Sequence, residues 1–137
     1  MKKILLVQIL IIKNGQNEYL LQLRDDKAPT FKNKWTLFGG QVEDGENPSE
    51  ALLRELDEEL KLNPNTIEAM RQIQTNEDAN GTKQHIFEVI TSISLDQLVL
   101  GEGAAMEYIP QILLFNREFA FNIEDVLRKY LNDSSAS

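Results

Sequence analysis

The chain has no cysteine. Disulfides, thiolate metal sites and a thiol nucleophile are therefore all excluded. Histidine is nearly absent too. The single copy, His85, opens a candidate strand beside the "ANG" turn and is expected to be structural. Basic residues are few, 14 against 22 acidic, for a net charge of −8. That balance argues against a nucleic-acid polymer or an anionic membrane as the main partner. A small phosphorylated substrate stays open, because bound divalent ions can reverse the local sign of charge. Long apolar runs are also missing. "MKKILLVQILII" begins like a targeting segment, but Gln8 interrupts it and no small-residue cleavage site follows. It is too short to span a bilayer. The lack of an export signal leads us to expect a cytoplasmic protein.

What is present fits an ordinary folded domain, with 26% charged and 42% hydrophobic residues in a chain of 137. We expect one domain over residues 1–132 and a frayed tail over 133–137. The first apolar run and "EYLLQL" flank Asn14-Gly15 and read as a β-hairpin. Residues 25–34 form a polar loop. "WTLFGG" is a short strand ending in a glycine pair, and residues 48–60 are a helix. Residues 66–75 and 84–93 are strands joined by a turn at "NEDANG". Residues 96–110 look irregular with short extended pieces, and 110–116 a short helix. Residues 122–131 form a terminal helix, with Asn122 and Asp125 at its start and Ile123, Val126, Leu127 and Tyr130 on one face. Interleaved strands and helices point to an α/β or α+β sandwich.

The helix over 48–60 holds the densest chemistry. Asn47 can cap it, Pro48 suits its first position, and Glu50 completes a capping box. Leu52, Leu56 and Leu60, flanked by Leu53, should dock on the sheet. Glu55, Glu58 and Glu59 share a neighbouring face, where the small Ala51 leaves room. Asp57 points to solvent. Like charges at i,i+4 destabilise a helix by a few tenths of a kcal/mol. Two readings follow: a solvated acidic surface, or hard oxygen ligands for Mg²⁺ or Mn²⁺.

Residues 40–62 read "GQVEDGENPSEALLRELDEELKL". Gly40 is followed after five residues by Glu46, and after seven more by Arg54-Glu55-Leu56-Asp57-Glu58-Glu59, with Leu62 closing the run. This resembles the signature of the Nudix hydrolases, in their MutT-like form. One specified position differs: Lys61 stands where the family has a glycine.

The resemblance implies a Nudix-type α/β/α sandwich with a mixed sheet and a loop–helix–loop metal site. It implies divalent-metal-dependent hydrolysis of a pyrophosphate linkage in a nucleoside diphosphate derivative, with water attacking phosphorus. A catalytically silent nucleotide or metabolite sensor is the alternative. Glu55, Glu58, Glu59 and the carbonyl of Gly39 match metal ligands. Arg54 matches a residue that positions a catalytic carboxylate, with a surface pairing to Glu50 as its plain alternative. Gly40, Glu46 and Leu56 are motif positions, Glu46 orienting the loop. Glu43 is either part of the hydrated metal shell or plain loop charge.

The family often draws a further acid from a later loop. Glu102, in "GEGAAMEYIP", is the candidate for it, as a metal ligand or as the catalytic general base beside Glu58, with Glu107 second. Arg24, Phe38 and Gly40 are the expected substrate contacts. Arg24 could instead hold a surface salt bridge, and Trp35 and Phe38 could stack on a base or simply pack in the core. Asn76, Asp78, Asn80 and Gly81 mimic a calcium loop, but Phe87 occupies the position that needs glutamate, so a hairpin turn is the better reading. Lys61 must either turn left-handed or let the helix run on. Phe38 stands where the family often has proline. The implied partners are a small nucleotide-derived substrate and a second copy in a homodimer. The substrate itself is not legible, because the selecting loops carry no marker of a particular class.

Overall fold

A computed structural model of the chain describes residues 6–101 and 103–135. β1 (Leu6–Lys13) is the strand around which the rest is arranged. One edge pairs in parallel with β6 (Lys83–Thr91), from Leu6↔Lys83 to Lys13↔Ile90. The other edge is shared. Close to the hairpin it meets β2 (Glu18–Leu23) at Lys13↔Tyr19, and nearer its start it pairs antiparallel with β4 (Phe38–Gln41). β3 (Trp35–Thr36) pairs with the far end of β2. The strands of the first hairpin therefore splay apart, and residues 35–41 fill the fork. β7 (Ala105–Pro110) pairs with β2, and β5 (Ile67–Glu77) with β6, both antiparallel. The result is a mixed seven-stranded sheet.

The hairpin forms where expected because Asn14 organises its turn. Its Oδ1 accepts from the backbone N–H of Gln16 (3.0 Å) and of Glu18 (3.1 Å). Alternation along β1 then splits the core in two. Ile9 and Ile11 join Ile86 against α2 (Ile123–Ser135), where Ile123, Val126, Leu127 and Tyr130 are buried. Leu10 and Ile12 join Phe87 and Val89 against α1 (Pro48–Leu60), where Leu52, Leu56 and Leu60 are buried. A strand buried on both faces reads as a near-continuous apolar run, which is why the N-terminal segment resembles a targeting signal.

α1 starts as expected. Asn47 Oδ1 accepts from Glu50 N (2.8 Å), and Glu50 Oε1 accepts from Asn47 N (3.1 Å). It ends at Lys61, which adopts the left-handed conformation (φ 52°, ψ 35°) rather than continuing the helix. Lys61 N–H donates to Asp57 O (3.0 Å) and Leu62 N–H to Leu56 O (3.2 Å), while the Leu62 side chain is buried. These bonds and this burial offset a left-handed cost of roughly 1 kcal/mol.

Four expectations differ from the structure. Leu53 is exposed, so the apolar stripe of α1 is narrower than proposed. Residues 105–110 form a regular strand, because β2 offers them a full-length partner. The short helix expected over 110–116 is a single 3₁₀ turn, Gln111–Leu113. α2 continues past residue 131 to Ser135, into the segment expected to fray. Asn122 does precede α2, but its amide exchanges two hydrogen bonds with that of Gln84 (2.7 and 3.1 Å).

Candidate active site

Two glycines set the site's geometry, each for its own steric reason. A Cβ on Gly39 would lie 2.1 Å from the backbone oxygen of Gln8, so only glycine lets β4 approach β1 this closely. A Cβ on Gly40 would lie 2.4 Å from Glu55 Oε1. The missing side chain is what gives the Glu55 carboxylate its place.

Arg54 is the hub. Its Nε and Nη2 grip Glu46 as a fork (2.8 and 3.0 Å). Nη2 also donates to the Gln41 carbonyl (3.0 Å), and Nη1 to Glu55 Oε1 (3.0 Å) and Glu58 Oε2 (3.1 Å). Glu43 Oε1 lies 3.6 Å from Nη1. Glu46 Oε1 in turn accepts from Glu43 N–H (2.9 Å). One guanidinium thus ties the 41–46 loop to the helix and holds two helix carboxylates. Glu50, weighed as its surface partner, is occupied in the capping box. Hydrogen bonds from Arg54 and from the Glu43 backbone hold the Glu46 carboxyl below the ordinary carboxylate range. The same fork with Glu46 strengthens the Arg54 cation.

The three helix glutamates are graded by depth. Glu55 is 7% exposed, Glu59 is half-buried and lines the cleft beside it, and Glu58 is exposed. Burial pushes the Glu55 carboxyl up; the Arg54 hydrogen bond opposes this, and the charges of Glu59 and Glu58 add to the rise. Among the described residues, no three histidine, aspartate or glutamate side chains converge as a ready-made cage for a metal ion. Arg54 draws Glu55 and Glu58 toward itself, and like charges spread apart. The donor set nevertheless suits a hard divalent cation: carboxylate oxygens, one of them buried, crowded by like charge and cradled by a glycine.

The later loop reaches this site. Val99 N–H donates to Leu60 O (3.0 Å) and Gly101 N–H to Glu59 O (2.8 Å), satisfying carbonyls at the end of α1. Glu102, the expected further acid, lies outside the described residues. Glu107 is corrected as its runner-up. Its neighbours Met106 and Tyr108 pack on the α1 side, so strand alternation turns Glu107 to the opposite face.

An open cleft of about 1270 Å³ is lined by Gly39, Gly40, Glu59, Arg24, Phe31 and Phe121 among others. Arg24 Nε donates to the Thr30 carbonyl (3.1 Å), and its guanidinium lies 5.0 Å from the centre of the Phe121 ring. Of the two readings of Phe38, core packing holds and base stacking does not. The residue is 2% exposed and packs in the α1-side core, so it borders the cleft without an open ring face. Trp35 packs against the α2-side core, with Arg117 over its ring at 4.9 Å. The aromatics that do face the cleft, Phe31 and Phe121, were passed over in the sequence because each sits in an irregular segment without periodicity. Gln8 was missed as well. Its side chain is buried, neither amide atom has a hydrogen-bond partner, and it stands opposite Gly40 in the β1–β4 ladder. His85 Nδ1 lies 2.8 Å from Gln72 Nε2. The calcium-like stretch is a hairpin turn in which Asp78 Oδ1 accepts from Asn80 N–H (2.9 Å) and Thr82 N–H (3.0 Å).

A NUDIX domain profile matches residues 3–118, most of the chain. The chain belongs to the NUDIX domain family. Curated relatives include the nucleoside triphosphatase NudI of Escherichia fergusonii, 35% identical over an 86-residue alignment that covers 58% of this chain and 59% of that protein. NudI of Escherichia coli O139:H28 matches over the same shares. This Nudix chain therefore aligns with about 59% of the length of these relatives. Solved structures share its fold. MutT, described for Aliivibrio salmonicida and Vibrio cholerae, superposes with a TM-score of 0.74 at 23% identity, covering 96% of this chain and 99% of that one. The NUDIX domain of Shewanella oneidensis NrtR, complexed with ADP ribose, gives 0.76 at 19% identity, covering 97% and 90%. The mixed sheet between two helices is thus the Nudix architecture. No helix among the described residues is long and apolar enough to cross a membrane.

Proposed function

We propose that this Nudix domain is a pyrophosphohydrolase that cleaves the diphosphate linkage of a small nucleoside diphosphate derivative, using Mg²⁺ or Mn²⁺, in the cytoplasm. The observation that carries the reading is the buried Glu55 carboxylate. It is held by Arg54 beside Glu58 and Glu59, and burial raises its proton affinity. Such an arrangement costs stability in the protein alone and becomes useful with a cation. Glu55, Glu58, Glu59 and the Gly39 carbonyl would hold the ion. When bound, it supplies charge neutralisation of the diphosphate and a more acidic water.

The rest of the work falls to the chain. Arg54 and Glu46 fix the position of the helix carboxylates relative to the loop. Gly40 keeps the space beside Glu55 free. The cleft holds the nucleotide with its diphosphate toward Glu59. A carboxylate takes the proton of the attacking water, and Glu58 and Glu102 are the candidates. Positioning and electrostatics of this kind account for most phosphoryl-transfer catalysis. A sensor that only binds has no need of the Arg54-centred carboxylate set, which favours turnover.

The test is Mg²⁺-dependent hydrolysis across a panel of nucleoside diphosphate derivatives, with Glu59→Gln in parallel. Turnover by the wild type and its loss in the variant are expected. Tight nucleotide binding without turnover on any compound would replace this reading with the sensor. Neither binding nor turnover would sink it.

A further inference from the structure

Two partly exposed aromatic rings line the cleft. Phe31 lies in the loop between β2 and β3, and Phe121 just before α2. They are 46% and 53% exposed, and their centroids are 4.7 Å apart with a tilt of 55°. Neither belongs to the two hydrophobic cores. Both hold left-handed backbones, each with φ 53°, a region that bulky side chains disfavour. One half-exposed ring contact is a small gain against two such conformations. Packing therefore does not account for the pair.

The rings are also fixed in place. The Phe31 loop closes on its own base: Arg24 N–H donates to Lys34 O (2.9 Å), Asn33 N–H to Arg24 O (3.1 Å), and Arg24 Nε to Thr30 O (3.1 Å). The Phe121 segment is pinned to the same place by Trp35 N–H to Glu118 O (2.9 Å), Ala120 N–H to Trp35 O (2.8 Å) and the Lys34–Glu118 ion pair. The Arg24 guanidinium backs the Phe121 ring at 5.0 Å.

We propose that Phe31 and Phe121 form the stacking wall for the substrate's nucleobase, and that this wall accepts purines and pyrimidines alike. The same cleft is lined by these two rings, by Glu59 and by the glycine pair. A nucleoside diphosphate derivative has the matching parts: a planar ring, and an anion that needs cations. Tolerance follows from the stacking itself. Stacking is indifferent to base identity, because every base has a π-face. The inference rests on the hydrolase reading for the diphosphate end of the ligand.

The experiment is equilibrium binding by calorimetry without metal or turnover. Adenosine, guanosine and cytidine 5′-monophosphates are compared with ribose 5-phosphate. All three nucleotides should bind about ten-fold or more tightly than the sugar phosphate. Phe31→Ala and Phe121→Ala should each remove most of that advantage. Phe121→Leu, which keeps apolar bulk without a π-face, should behave like the alanine variant, and Phe121→Trp should retain the advantage. Melting curves confirm that each variant is folded. An advantage that survives both alanine substitutions, that is confined to one base, or that is absent from the wild type overturns the wall. Mg²⁺-dependent turnover is scored separately. Turnover without a base advantage removes the wall and keeps the hydrolase; a base advantage without turnover does the reverse.

Discussion

Glu55 and Glu88 are glutamates of nearly equal burial, 7% and 6% exposed, on opposite faces of one sheet. Their surroundings differ. Burial pushes the Glu88 carboxyl up, but hydrogen bonds from Arg71 (3.0 Å) and the Tyr130 hydroxyl outweigh it, and the group ends below the ordinary range. Tyr130 answers in kind: burial first, then its bond to Glu88, holds its own proton more firmly. Burial also pushes Glu55 up. There the one opposing guanidinium is shared with Glu46 and Glu58, and the charges of Glu59 and Glu58 stand close, so the group stays above the ordinary range. A buried carboxylate with its own dedicated donors serves the fold. One whose donor is divided among competitors keeps a demand for positive charge, and that is the mark of a binding site.

The sharpest way to break the comparison is to neutralise each acid. Glu55→Gln should lower metal-dependent hydrolysis by about 10²-fold or more, the scale of several kcal/mol of lost charge stabilisation. Its melting temperature in the absence of metal should hold or rise, because a buried, under-satisfied charge is gone. A large fall in melting temperature would place Glu55 with Glu88. On the other face, Tyr130→Phe should destabilise by about 2 kcal/mol in denaturant unfolding, since it removes a donor from a buried charge. Activity per folded molecule should be unchanged.

The pH dependence of stability should carry opposite signs at the two sites. Glu88, with its folded pKa depressed, stabilises above the unfolded carboxylate value of 4.5, and that contribution is lost as pH falls through its folded pKa. Glu55, with its folded pKa raised, destabilises once pH exceeds that value, and protonation toward 4.5 relieves the penalty. Melting temperature against pH should therefore gain slope on the acid side in Glu55→Gln and lose slope in Glu88→Gln. The smallest effect belongs to the helix end. Lys61→Gly should add about 1 kcal/mol in unfolding measurements by relieving the left-handed residue. It should leave Glu55 and turnover as they were.

The two acids were not equally legible. Glu55 could be read because helix spacing sets it beside Glu58 and Glu59, and its cap and signature lie within residues 40–62. Nothing in the sequence marks Glu88, whose donors come from 17 and 42 residues away in the chain. The first hairpin, α1 and the α2 stripe were likewise local. β7 was not, because its regularity depends on β2. Phe38 stayed open between stacking and core packing for the same reason: a strand residue's face is chosen by the partner it packs on, and here that partner is α1. Phe31 and Phe121 meet across 90 positions of sequence, so no window holds both.

The sequence by itself determined the capped acidic helix, the glycine pair and the hairpin turns, since each follows from backbone sterics and hydrogen bonding within a few residues. Tertiary structure alone decided which glutamate is buried, how Arg54 divides itself among four acceptors, and which aromatic rings face the cleft. Those depend on desolvation and on neighbours that the fold brings together from distant parts of the chain.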